Sequence, residues 1–381
     1  MLYLLLILFF FCIVLQVSYA VYVFIPEVYS SYAPGKSEAA PGAHEQVSVI
    51  VCARNEARNL EQNLPFILAQ RYSNAAGKRM FEVIVVDDAS TDDTGAVLAR
   101  LCLKHDHLQV VQVKPDEQRT FPGKKYAVTK GIAAADNDWL LFTDADCIPA
   151  SDEWIDEMSA AFRTSGGKIK IVGSYGQYSA APGLLNAFIR WETMHSFLQA
   201  FTYAHSGMPY MAVGRNLAVH KELYAQVQDW PVWKALPSGD DDLLVARTAT
   251  AENMRMIHVP ESFTISEPKH TWREWWLQKQ RHLSAGKYYK PRIKAYLGAY
   301  ALTHTLVWLL FFVLLFTGPL FWAVPLMVFR CGVYWYTWAR MCRLLEEKNL
   351  FKWFPLFDLG WMIYNFAFAP YIFWKNKQQW K

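Results

Sequence analysis

Uncharged stretches near both ends of the chain frame a central region in which short apolar runs alternate with amphipathic ones. Residues 1–25 and 297–329 contain no Asp, Glu, Lys or Arg, and each exceeds the roughly 20 apolar residues that cross a bilayer. Between them, "VSVIVCA" predicts a buried strand and "RNEARNLEQNLPFILAQ" has helical spacing. "FEVIVVDDAS" predicts a second strand, followed by a helix from about Thr91. "LQVVQV" predicts a third strand, "KKYAVTKGIAAA" a helix, and "DWLLFTDADC" a fourth strand. Strands alternating with helices imply an α/β domain around a mostly parallel sheet with right-handed crossovers.

The same pattern sets the domain limits. Residues 1–25 form an N-terminal transmembrane anchor; Ser18 and Ala20 resemble a signal-peptide cleavage site, but no basic residue precedes the apolar run, which continues past it. Residues 26–46, rich in Pro, Gly and Ala, form a linker, and 47–294 the catalytic-type domain. Residues 295–381 form a C-terminal membrane region: helices at about 297–316 and 319–339 joined by a tight turn at Gly318 and Pro319, then an interfacial segment at about 340–353. The last apolar block, 354–374, contains Pro355, Asp358, Asn365 and Pro370, and so can span, re-enter or lie in the interface.

Composition sharpens this picture. Charged residues make up 19% of the 381, against about 25% in soluble domains. The basic run Lys279–Lys294 precedes the second apolar stretch, which by the positive-inside tendency places the central domain in the cytoplasm, on a multi-pass protein of the cytoplasmic membrane. A net charge of +4 gives no case for nucleic acid. The six cysteines contain no C-x-x-C pair, so neither a disulfide framework nor a zinc site is expected.

Ligands of parallel sheets bind beyond the carboxyl ends of the strands, and polar groups gather there: Arg54, Asn55 and Glu56 after the first strand, Asp87 and Asp88 after the second, Asp144 and Asp146 after the fourth. If strand geometry continues through Asp144 and Asp146, both point to one face. A hard divalent cation, Mn²⁺ or Mg²⁺, would remove their repulsion. Ser90 is the better candidate for capping the helix after the second strand, which leaves Asp88 without a structural task.

"VSVIVCARNEARNL", "VIVVDDASTDDT", "GKKYAVTKGI", "LLFTDADC", "SGDDDLL" and "QKQRH", in this order, resemble the sequence blocks of membrane-anchored family 2 glycosyltransferases with a GT-A fold, the branch of ceramide glucosyltransferase and the polysaccharide synthases. The resemblance implies transfer of a sugar from a nucleotide-sugar donor, of UDP type, to a membrane or lipid-linked acceptor hydroxyl. It assigns donor binding to Arg54, Asn55, Glu56, Asp87, Asp88, Lys124, Lys125 and Asp144, and metal binding to Asp144 and Asp146. A solvated helix face competes for the two lysines. Asp241 corresponds to the general base with Asp240 beside it, although Asp240, Asp241 and Asp242 are all available; three adjacent acids raise one another's pKa, as suits a base. Gln278, Arg281 and His282 match a Q-x-x-R-W block, for diphosphate or acceptor. His282 replaces the tryptophan of processive enzymes and favours a single transfer over polymer synthesis. Asn216 in "VGRNLAVHKELY" corresponds to an acceptor contact, although Gly214–Asn216 also fits a turn. Trp272, Trp275 and Trp276 suit a helix lying on the bilayer. The loop positions expected at 175–210 carry no legible specificity code.

Overall fold

The computed structural model describes residues 2–25, 45–236, 239–283, 285–318 and 320–369. Most of the expected linker, Pro319 of the expected turn and the basic tail lie outside these residues.

Helix α1 (Leu2–Tyr19) continues through a π-helical turn to Phe24. The central domain then runs β1 (Val47–Ala53), α2 (Ala57–Leu68), β2 (Phe81–Asp88), α3 (Thr94–Cys102), β3 (Leu108–Val113), α4 (Lys124–Ala134) and β4 (Trp139–Asp144). Next come β5 (Cys147–Pro149), α5 (Trp154–Arg163), β6 (Ile171–Gly173), β7 (Gly176–Tyr178) and the long α6 (Leu184–His205). β8 (Leu217–His220), α7 (Glu222–Ala225), α8 (Pro231–Ala235), α9 (Asp242–Thr248), β9 (Met254–Met256) and β10 (Thr264–Ser266) complete the domain. The chain ends in α10 (Trp272–Leu283), α11 (Pro291–Thr317), α12 (Leu320–Leu344) and α13 (Phe354–Phe368). Most of the segment expected as specificity loops is thus the helix α6.

The main sheet has the order β3-β2-β1-β4-β8-β6-β9, and β5-β10-β7 form a second, smaller sheet. β1 pairs in parallel with both β2 and β4, whereas β8 runs antiparallel to β4 and β6. The register sets Cys52 opposite both Val86 and Asp144, so the three strand ends finish side by side. Because strand side chains alternate faces, Val47, Val49 and Val51 pack with α2, α3 and α5, while Ile50 and Cys52 join the core on the other face. There α4 lies close enough that a Cβ on Gly131 would stand 2.7 Å from Ile50 Cγ2. That close approach sets the N-terminus of α4, with Lys124, over the strand ends.

The core on this second face continues without a break into Phe24, Tyr300, Tyr334, Trp338 and Phe357. α6, buried on almost every side, joins the two regions. Glu347, in the turn after α12, is fully buried; it accepts from Arg190 Nε at 2.9 Å and from the Tyr175 hydroxyl at 2.7 Å, pinning the C-terminal helices to the central domain.

Leu2–Phe24 and Pro291–Thr317 are long and apolar enough to cross a membrane. α13 packs against α11 and α12 and carries Asp358 into their midst. Asp358 accepts from His304 Nε2 at 3.2 Å, from Trp308 Nε1 at 2.9 Å and from Arg330, whose other amino group donates to Gln16 of α1 at 3.3 Å. Four helices thus share one polar knot. Asp358→Ala leaves the buried Arg330 guanidinium unpaired, a loss expected to cost about 3–5 kcal/mol. A fall in melting temperature of the detergent-purified protein checks this; an unchanged melting temperature would show that the knot holds nothing together.

Candidate active site

The ends of β1 and β4, the N-terminus of α4, the acids before α9, and α10 surround one cavity of about 760 Å³. Arg54, Glu56, Lys124, Asp144, Asp146, Asp240, Asp241, Asp242, Gln278, Arg281 and His282 all line it. It does not stop at the acids: the same space runs on to Tyr300 and Ala301 of α11 and to Trp361, Tyr364, Asn365 and Phe368 of α13.

β4 ends at Asp144, and Ala145 and Asp146 form a turn rather than a continuing strand. The turn still brings the acids together: oxygens of Asp144 and Asp146 and the sulfur of Cys147 lie within 4.8 Å of one another. Burial and the Asp144 charge push the Asp146 carboxyl up, the direction a bound cation would reverse. Burial would also raise Asp144, but the Lys124 ammonium, 2.5 Å from its Oδ1, holds it below the usual carboxylate value. Hard oxygen donors at this spacing fit a divalent cation. Lys124 also lies 3.8 Å from Asp240, linking this group to the second acid cluster.

That cluster opens α9. Asp241 caps the helix, its Oδ1 accepting from the Asp242 N–H at 2.7 Å and its Oδ2 from the Gly214 N–H at 2.6 Å. Burial and the neighbouring Asp240 charge nevertheless push its carboxyl up to about 6. Asp242 is driven further toward its protonated form by burial, then by Asp241 and Asp240. The residue that caps α9 is therefore also the one whose carboxyl burial and Asp240 raise. A Cβ on Gly214 would stand 2.9 Å from Asp241 Oδ2 and 3.0 Å from its Cβ. Gly214→Ala is expected to displace that carboxylate and to lower turnover by about 10²-fold with nucleotide binding retained, as steady-state kinetics beside nucleotide titration would show.

Five residues singled out from the sequence lie away from the cavity lining. Asn55 joins two loops, its N–H donating to Ser90 Oγ at 2.9 Å and its Oδ1 accepting from the Thr91 N–H at 2.8 Å. Asp87 accepts from the Ser90 N–H at 3.1 Å. Ser90 does not cap α3, which starts at Thr94 with Asp92 accepting the Thr94 N–H at 3.1 Å. Asp88 is fully buried and paired through both oxygens with Arg119, at 2.6 and 3.1 Å. Lys125 is buried too, its ammonium donating to the carbonyls of Trp233 and Leu236 at 2.9 Å each, and burial lowers it to about 8. The solvated-face reading therefore fails for Lys125. Asn216 is fully engaged, accepting from Trp154 Nε1 at 3.0 Å and donating to the carbonyls of Tyr175 and Ser262 at 2.9 and 2.8 Å. It holds the turn, with no group left for an acceptor.

The structure adds residues that sequence reasoning passed over. Arg215, next to Asn216, lines the cavity, stacks over Tyr178 at 4.1 Å and acts electrostatically on both Asp144 and Asp146. Lys279, inside "QKQRH", pairs with Glu192 of α6. Arg119 occupies Asp88. The signal for the first two was adjacency to residues already chosen; nothing in the sequence links Arg119 to Asp88.

Residues 48–204 match the family model "Glycosyl transferase family 2", and residues 144–368 match "Glycosyl transferase family group 2". A probable glycosyltransferase of Bacillus subtilis, YdaM, is 27% identical over 255 residues, 64% of this chain and 56% of that protein. The dolichyl-phosphate beta-glucosyltransferase of Homo sapiens is 32% identical over 126 residues, 30% of this chain and 36% of that protein. This chain thus spans little more than half of the first relative and about a third of the second. The solved mannosyltransferase PcManGT of Pyrobaculum calidifontis, in complex with GDP-Man and Mn²⁺, superposes with a TM-score of 0.59 at 19% identity, covering 96% of this chain and 99% of that one. At that identity the likeness shows a shared fold. With more than half of its length matched by the family model, the chain belongs to the glycosyltransferases of family group 2.

Proposed function

We propose that the protein is an inverting glycosyltransferase of a membrane, moving a sugar from a nucleotide-sugar donor of UDP type to the hydroxyl of a lipid or lipid-linked acceptor. One observation carries this reading: a single cavity joins the acid cluster at the strand ends to the aromatic wall of α11 and α13. A donor diphosphate at one end and an acceptor reaching in from the bilayer at the other would meet at Asp241.

In this reading Asp241 accepts the proton of the acceptor hydroxyl. The oxygen attacks the anomeric carbon from the face opposite the diphosphate; the new carbon–oxygen bond forms as the old one breaks, and the nucleoside diphosphate leaves with the electron pair. A carboxyl poised near 6 suits that task close to neutral pH. Two N–H donors fix its position, and each carboxylate oxygen keeps a lone pair for the proton. Asp144 and Asp146, with Cys147 beside them, would hold a divalent cation, Mn²⁺ or Mg²⁺, which when bound supplies Lewis-acid stabilisation of the departing diphosphate. Arg281 and Arg215 add positive charge on the same side. For Asp88 to receive the nucleoside, the Arg119 pair has to open first. In this reading the basic run Lys279–Lys294 before the second apolar stretch favours a catalytic domain on the cytoplasmic face of a multi-pass membrane protein.

The test is nucleoside diphosphate release by the detergent-purified protein from a panel of nucleotide sugars, with and without lipid extract. Release from one donor that rises with lipid supports the proposal. Donor-independent silence, with UDP still bound, would point to a binding subunit without turnover.

A further inference from the structure

We infer that the acceptor presents a neutral, hydroxyl-rich head group, a glycoside or polyol carried on a lipid, and that a polar stripe on α6 reads it. This rests on the transferase reading above and narrows its acceptor. The stripe is Glu192, Ser196 and Gln199, spaced i, i+4, i+7 on one face of α6. All three line the cavity, and the opposing wall is α13. The rings of Trp361 and His195 lie 4.2 Å apart, and the charge of Glu192 is felt at Tyr364.

Several polar groups here lack partners. The Gln199 side chain, in a residue only 9% exposed, makes no protein hydrogen bond among the described residues. Trp361 and Asn365 line the same space, and their Nε1 and Nδ2 atoms, which have no surface open to it, also lack partners. A ligand that pairs with the Gln199 amide in this largely enclosed space makes a hydrogen bond that the protein alone leaves unmade. Gln199 offers the cavity both a donor and an acceptor. Ser196 Oγ donates to Glu192 Oε1 at 3.2 Å. Hydroxyl groups donate and accept, matching this mixed set; a phosphate only accepts.

Charge separates the two further. Lys279 of α10, which reaches the stripe, is already paired with the buried Glu192 carboxylate. A phosphate placed there would meet Glu192 as a like charge in a low-dielectric pocket. Arg215 and Arg281 act instead on Asp144, at the donor end; Lys287 and Lys294, which also line the cavity, lie in the turn before α11 and at its start.

The test uses the full chain in phosphatidylcholine nanodiscs, since a glycoside detergent would compete. Two probes are compared as acceptors, monoglucosyl-diacylglycerol and undecaprenyl phosphate, by nucleoside diphosphate release and product mass. The glycolipid is expected to be the better acceptor, and Gln199→Ala and Glu192→Gln to raise its KM roughly tenfold or more with kcat and UDP binding retained. Retained UDP binding shows that the variants are folded. A preference for the prenyl phosphate, or an unchanged KM in both variants, overturns the inference and leaves the transferase reading standing. If the wild type releases no diphosphate from any nucleotide sugar, the transferase reading fails and this inference with it.

Discussion

Asp241→Asn is expected to lower sugar transfer by about 10²- to 10⁴-fold while the affinity for the nucleoside diphosphate stays within roughly twofold. Asparagine can still accept the Asp242 N–H that caps α9, although its amide nitrogen then faces the Gly214 N–H, and it cannot take a proton from the acceptor. The pH profile separates this loss from a structural one. A base must be deprotonated to act, and burial with the Asp240 charge raises Asp241 to about 6. The wild-type rate should therefore be level above that pH and fall about tenfold per unit below it. The residual activity of Asp241→Asn should lack that acidic limb. A variant that keeps the wild-type profile would move the base to Asp240, which also lines the cavity with Lys124 at 3.8 Å.

The first half of the fold was legible because its signals are local. β1, β2 and β4 are buried on both faces, so their continuous apolar runs stand out, and α2 buries Leu60, Leu64, Ile67 and Leu68 at helical spacing. α3 began three residues later than expected because Asp92 rather than Ser90 satisfies its first N–H. α6 was missed: it is buried on almost every side, so its few polar residues give the sequence no clear helical period. That loss extended to the site, since the stripe of Glu192, Ser196 and Gln199 is visible only once the helix is in place.

Within the site, most of the acids chosen from the sequence line the cavity, whereas several of the other chosen residues do not. Asp144, Asp146 and the run Asp240–Asp242 stand at strand and helix ends, where side chains reach the cavity. Asp88, Lys125 and Asn216 carry the same chemistry on the page, but each is consumed by a partner far along the chain: Arg119 for Asp88, the α8 carbonyls for Lys125, and Trp154 with Ser262 for Asn216. Residue type predicts what a group can do. Only long-range packing decides whether it is free to do it.

The acid pair at the end of β4 gives the other large effect, and one that separates function from stability. Without a cation, Asp146 is a buried carboxylate beside Asp144, and both burial and that neighbour disfavour its charge. Asp146→Asn removes the repulsion, so the cation-free protein should gain about 0.5–2 kcal/mol of stability. The same change removes a hard ligand and leaves Asp144, already shared with Lys124, to hold the cation alone. Transfer should fall by about 10²- to 10³-fold, and the enhancement of UDP binding by Mn²⁺ should disappear from calorimetric titrations. Asp144→Asn should also abolish that enhancement, but without the same gain in stability, because it deprives Lys124 of its partner. A loss of activity with Mn²⁺-enhanced UDP binding intact would show that the pair serves the sugar rather than a metal. Loss of both, in a protein that melts higher than the wild type, is the signature of acids held together at a cost for the sake of the cation they bind.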